Sequence, residues 1–175
     1  MTIGDYISLR ISKVVAAIGT AWLFATPVQS AAAQRQNNVA INNKAIVQAS
    51  FERWKQGTGS PFDLLTPEAD WTIVGSSPLS KTYPTRQDFL DRVIKPFNAR
   101  MATPLVPAVR GIYADGDTVV ILFDAAATAR DGKAYRNTYT WYFRMTEGKV
   151  VSVIAFFDTR DFDELWTRVG PLNSR

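Results

Sequence analysis

The chain has 175 residues, with 20 Lys and Arg against 16 Asp and Glu, and contains neither His nor Cys. Those two absences exclude Ser-His-Asp hydrolysis, His-ligated zinc, Cys nucleophiles, thiolate metal sites and disulfides. The formal net charge of +4 is mild and the basic residues are scattered, so nucleic acid is not an expected partner.

The first stretch reads as a leader. Arg10 and Lys13 precede an unbroken apolar or small run from Val14 to Ala25, followed by Pro27 and then Ala31, Ala32 and Ala33. Positive charge, apolar run and a small-x-small site, in that order, predict a cleavable secretory signal peptide over residues 1–33, with cleavage expected before Gln34. A bilayer span needs about 20 apolar residues, so no stable membrane anchor is expected. The protein is therefore expected to be exported, periplasmic or secreted. The leader holds two basic residues and one acidic residue, which leaves the remaining chain with 18 against 15, or +3. That remainder is the size of one domain.

Residues 34–42 are polar and are expected to form a flexible segment, with Asn42 or Asn43 capping a helix that runs to Gln56. Val47, Phe51 and Trp54 share one face of that helix at i, i+4, i+7. Phe62 to Leu65 is a candidate short helix. Asp70 to Gly75 reads as a strand with Trp71 and Ile73 on one side. Ser76 to Pro84 reads as a loop. Thr85, with Asp88 three residues on, opens a helix that Pro96 ends or kinks.

The C-terminal half reads as β. Strands are expected over Val106–Ala114, Thr118–Ala129, Lys133–Met145 and Lys149–Asp158. Asp115-Gly116-Asp117, Asp131-Gly132 and Glu147-Gly148 are the turns between them. A short helix, Asp161 to Val169, closes the chain. Helices first and an antiparallel meander after them give an α+β fold.

Chemistry concentrates on the last two strands. With period 2, Tyr135, Asn137, Tyr139, Trp141 and Phe143 share one face, and Arg136, Thr138, Thr140, Tyr142 and Arg144 share the other. Asn137 among rings needs a hydrogen-bonding partner, either a ligand or a neighbouring loop. If Ile154 and Phe156 point inward, so does Asp158, and a carboxyl among Phe and Trp rings can serve as a base or as a neutral donor. The alternative is that Asp158 caps the terminal helix or pairs with Arg160. Asp161, Asp163 and Glu164 fall in the first turn of that helix, where the dipole favours negative charge, and are not read as a metal set.

The order of pieces IVQASFERWKQG, FDLLTPEADWTIVG, SSPLSKTYPTR, QDFLDRV and YRNTYTWYFRMTEGKVVSVIAFFDT resembles the nuclear-transport-factor-2-like superfamily, in its polyketide-cyclase-like (SnoaL-like) branch. The resemblance spans Ala45 to Val169 and implies a cone-like, curved antiparallel sheet wrapped around N-terminal helices, with an internal apolar pocket. It implies that Asp158 is a pocket carboxylate, that Trp71, Asn137, Tyr139 and Trp141 lie on pocket-lining strands, and that the outer sheet face makes a homodimer. The Tyr and Asp pair of ketosteroid isomerase and the Asp-Arg-Asp set of limonene-epoxide hydrolase have no evident counterpart. A shared fold does not carry an activity with it.

The expectation that results is an exported protein with an apolar pocket for a small apolar or amphipathic molecule. If it is an enzyme, Asp158 and Tyr139 are the catalytic pair, in isomerase, cyclase or hydrolase chemistry. Trp71, Asn137, Trp141 and Phe156 are the ligand-binding residues, with no metal and no cofactor. The alternative is a non-catalytic binding or dimeric assembly module of the same fold.

Overall fold

The computed structural model describes residues 27–170, with side chains from Ser30 onward. The leader expected over residues 1–33 lies mostly outside the described residues.

Helix α1 spans Pro27–Lys55, a start well before Asn42. Residues 34–42, expected to be flexible, are helical. Ala40, Asn43, Val47, Ser50 and Phe51 are buried at three- and four-residue steps, so the inward stripe begins at Ala40, ahead of the expected cap. Two of its members are polar. Asn43 Nδ2 donates to the Gly116 carbonyl at 3.4 Å, and Ser50 Oγ to the Val47 carbonyl at 2.7 Å.

A 3-10 turn, Pro61–Leu64, leads into β1, Leu65–Ile73, and the two-residue β2, Thr82–Tyr83. Helix α2, Arg86–Phe89, is capped by Thr85, whose hydroxyl accepts from the Asp88 N–H. It runs directly into a π-helical turn, Leu90–Ile94, and then into α3, Lys95–Asn98. Pro96 does not end this helix. A proline inside a helix has no N–H and crowds the carbonyl four residues back. The widened turn, with the Lys95 N–H donating to the Leu90 carbonyl, accommodates it.

Strands β3 (Val106–Asp115), β4 (Thr118–Thr128), β5 (Ala134–Thr146) and β6 (Lys149–Phe157) form the expected meander. Glu147 (φ 51°) and Gly148 (φ 75°) make the two-residue turn between β5 and β6, where both positions need positive φ. Helix α4, Thr159–Arg168, follows.

All six strands join one curved sheet in the order β2-β1-β6-β5-β4-β3. It is mixed rather than wholly antiparallel. β1 lies parallel to β6, with Trp71 opposite Val153, because the chain returns to the sheet centre only after the whole meander. The helices pack on one face. Phe51 meets Phe123 at 4.9 Å and Trp141 at 5.8 Å, both edge-on. The other face is left open to solvent.

Candidate functional site

Between the inner sheet face, the end of α1 and the α2–π–α3 helix lies a cleft of about 1200 Å³. Alternation along β5 points Tyr139 and Trp141 into it. β6 contributes Ala155 and Phe157, β1 contributes Trp71, and the helix contributes Phe89, Leu90 and Val93. The π turn widens the helix where Leu90, Val93 and Ile94 form the wall, a distortion that recurs at functional sites.

The walls are interlocked rings. Trp71 stacks on Phe89 at 4.1 Å with planes 8° apart, and meets Trp141 edge-on at 5.0 Å. Trp54 lies parallel to Trp141 at 6.1 Å, and Phe123 stacks on Tyr139 at 5.0 Å. Each such pair adds about 0.5–1.5 kcal/mol beyond area burial, so the rings hold one another in place. At the α4 end, Phe162 stacks on Phe97 at 5.8 Å and closes against Phe157 at 4.9 Å.

One polar relay runs through the floor. Tyr139 and Tyr135 share a hydroxyl hydrogen bond of 2.8 Å, and Asn137 Nδ2 donates to the Tyr135 oxygen at 3.1 Å. Asn137 also clips the start of α4. Its Nδ2 donates to the Asp158 carbonyl at 2.9 Å, and its Oδ1 accepts from the Asp158 N–H at 3.0 Å. Burial pushes the Tyr135 phenol up to about 12, against the lowering effect of its bonds to Tyr139 and Asn137. Tyr139 is raised well above its ordinary value by burial and by Tyr135. Both phenols are neutral hydroxyl groups at ordinary pH.

The expected site residues divide into two groups. Trp71, Tyr139 and Trp141 come together in the cleft. Asn137 is buried on the same sheet face, but it serves the backbone of Asp158 rather than the cleft. Phe156 is on the opposite face, 44% exposed and edge-on to Tyr142 at 5.8 Å, and Ile154 beside it is 45% exposed. Phe156 is therefore not a pocket wall; Phe157 takes that place. Asp158 is exposed and outside the cleft, where its carboxylate accepts from the Arg160 N–H at 2.9 Å and caps α4. The helix-cap alternative is the one that the geometry matches.

The displacement has one cause. Met145 pairs with Val150 and Arg144 with Ser152, which leaves Val151 as an extra residue in β6. A bulge changes the phase of everything after it. The residues opposite Phe143, Trp141 and Tyr139 are thus Val153, Ala155 and Phe157.

Sequence reasoning did not single out Phe89 or Phe157 as cleft residues, nor the charged side chains Lys55, Asp63, Arg86 and Arg136 that line it. No local pattern marks a helix residue as facing a cleft rather than a core. Among the described residues, no three carboxylates converge where a metal ion could sit, and no helix is long and apolar enough to cross a membrane.

Residues 47–153 match the family model described as a SnoaL-like domain. The chain belongs to the SnoaL-like family. Solved structures carry the same fold. The protein Bal32a, from a soil-derived mobile gene cassette, is 19% identical with a TM-score of 0.59, over 73% of this chain and 98% of its own. A putative SnoaL-like polyketide cyclase from Jannaschia is 13% identical with a TM-score of 0.58, over 75% of this chain and 96% of its own. TerC, co-crystallised with polyporic acid, is 20% identical with a TM-score of 0.56, over 71% and 97%. At these identities the likeness is one of fold. No curated protein sequence matches significantly.

Proposed function

We propose that this SnoaL-like protein is exported and binds a small, mostly apolar molecule in the cleft floored by Trp71, Tyr139 and Trp141. The observation that carries this reading is the cleft itself. Its volume of about 1200 Å³ suffices for a drug-sized molecule, and its walls are mostly rings and aliphatic side chains, with polar and charged groups among them. TerC shares the fold and was co-crystallised with polyporic acid, which supports the same kind of use. Untargeted mass spectrometry of the purified mature protein tests the reading. An organic molecule should be released on denaturation, in near-stoichiometric amount, and be absent from the variant Trp141→Ala. A protein that carries nothing and binds no member of an aromatic ligand panel would contradict it.

The Tyr139–Tyr135–Asn137 relay favours a catalytic version of this reading. Tyr139, as a neutral phenol in the cleft wall, would donate to a substrate oxygen and polarise it, as isomerase and cyclase chemistry requires. In that version Asp63 is the carboxylate among the cleft-lining residues, and Asp158 serves the fold. Tyr139→Phe should keep the ligand and lose turnover. Equal loss of both would make Tyr139 a wall and nothing more.

Export rests on the leader, with cleavage before Gln34. Recovery from an export-competent host should give a mature N-terminus within a few residues of Gln34. The outer sheet face, with Tyr142, Ile154 and Phe156 exposed, is proposed to pair with a second copy of the chain.

A further inference from the structure

The cleft lining holds four charged side chains, and three of them, Lys55, Arg86 and Arg136, are cationic against the single anion Asp63. Of these, Arg86 is half-buried at the start of α2. Its nearest charged partner is Asp63, 4.0 Å from Nη2, which is beyond hydrogen-bond reach. Its Nε is closed off from solvent and has no acceptor. One oxygen of Asp63, Oδ2, accepts from the Ser60 N–H at 2.9 Å and completes the capping box of the 3-10 turn, which holds the carboxylate at that distance from Arg86.

A guanidinium carries five donors, and among the described residues none of those on Arg86 is used in a hydrogen bond. By contrast, the guanidinium groups of Arg92 and Arg168 each lie within hydrogen-bond reach of a carboxylate, Asp88 and Asp131. A partly desolvated cation beside a ring-lined cleft attracts an anion more strongly than one in water, and its fork fits two acidic oxygens at once.

We propose that the cleft selects an amphipathic organic anion. An aromatic or polycyclic body would lie against Trp71, Phe89 and Trp141, and an acidic group (carboxylate, phenolate or sulfonate) would be received by Arg86. This inference rests on the cleft being the binding site. It adds the charge of the ligand and the residue that reads it.

Two fluorescent probes with nearly the same ring system separate the claims: anilinonaphthalene sulfonate, an anion, and N-phenylnaphthylamine, which is neutral. Both should bind the mature protein. Arg86→Gln should weaken the sulfonate about tenfold, the scale of a charge-assisted hydrogen bond, and leave the amine within about twofold. Arg86→Lys, which keeps the charge but loses the fork, should fall between wild type and Arg86→Gln, and it carries the test if the glutamine variant does not fold. Equal weakening of both probes, or of neither, would overturn the anion assignment while leaving cleft binding intact. Failure of both probes to bind the wild-type protein would remove the cleft reading and this inference with it.

Discussion

Asn137 holds Asp158 by its backbone and not by its side chain: the carboxamide donates to the Asp158 carbonyl at 2.9 Å and accepts from its N–H at 3.0 Å. The side chain thus imitates one more β-pair beyond Tyr139–Phe157, where the sheet gives way to α4. This contact fixes where α4 begins, and through Phe162 it fixes the end of the cleft.

Asn137→Ala should therefore cost about 2–3 kcal/mol in urea unfolding, since it leaves the Tyr135 hydroxyl and two backbone groups short of a partner. A change below about 0.5 kcal/mol would show that water replaces the clip without loss.

Asp158 should behave as a cap. Asp158→Ala should lower stability by about 1 kcal/mol, while Asp158→Asn, an equally good cap residue, should change little. Neither should alter ligand affinity. Loss of binding or turnover in the asparagine variant, with the fold intact, would return the carboxylate to the chemistry.

The buried phenols set an alkaline limit. A tyrosine whose folded pKa lies above its unfolded value of 10.0 favours folding while it is protonated. That stabilisation is complete below about pH 10 and drains away as pH rises towards the value of about 12 held by Tyr135. Unfolding free energy measured between pH 9 and pH 11 (approximate limits set by these pKa values) should fall more steeply for the wild type than for Tyr135→Phe. Parallel curves would mean that the phenol ionises freely.

The outer face makes its own prediction. Ile154→Asp places a charge among Tyr142, Ile154 and Phe156 and should leave a folded monomer in light scattering at micromolar concentration, against a dimer for the wild type. A wild-type monomer would count against the pairing proposed for this face.

Much of this architecture is legible in the residues. Strict alternation from Tyr135 to Phe143 places Tyr139 and Trp141 correctly, because β5 has no irregularity over that stretch. β6 has one, and counting by twos from Val150 sends Ile154, Phe156 and Asp158 inward when the extra Val151 turns them out. The N-terminal half of α1 is hidden for another reason. Its inward stripe passes through Ala40 and Asn43, and an asparagine at a buried position looks like a cap until its partner, the distant Gly116 carbonyl, is known. Arg86 gives no local sign of its place in the cleft, which depends on β1 and the 3-10 turn meeting α2 in space.

The most direct test of the cleft as the binding site is an NMR titration of the mature protein with N-phenylnaphthylamine, followed at the indole N–H signals. Trp54, Trp71 and Trp141 line the cleft, and Trp166 does not. The first three signals should shift together and saturate at one ligand concentration, while Trp166 stays near its starting position. Shifts confined to Trp166 or to outer-face residues, with the three cleft indoles unmoved at saturation, would contradict it.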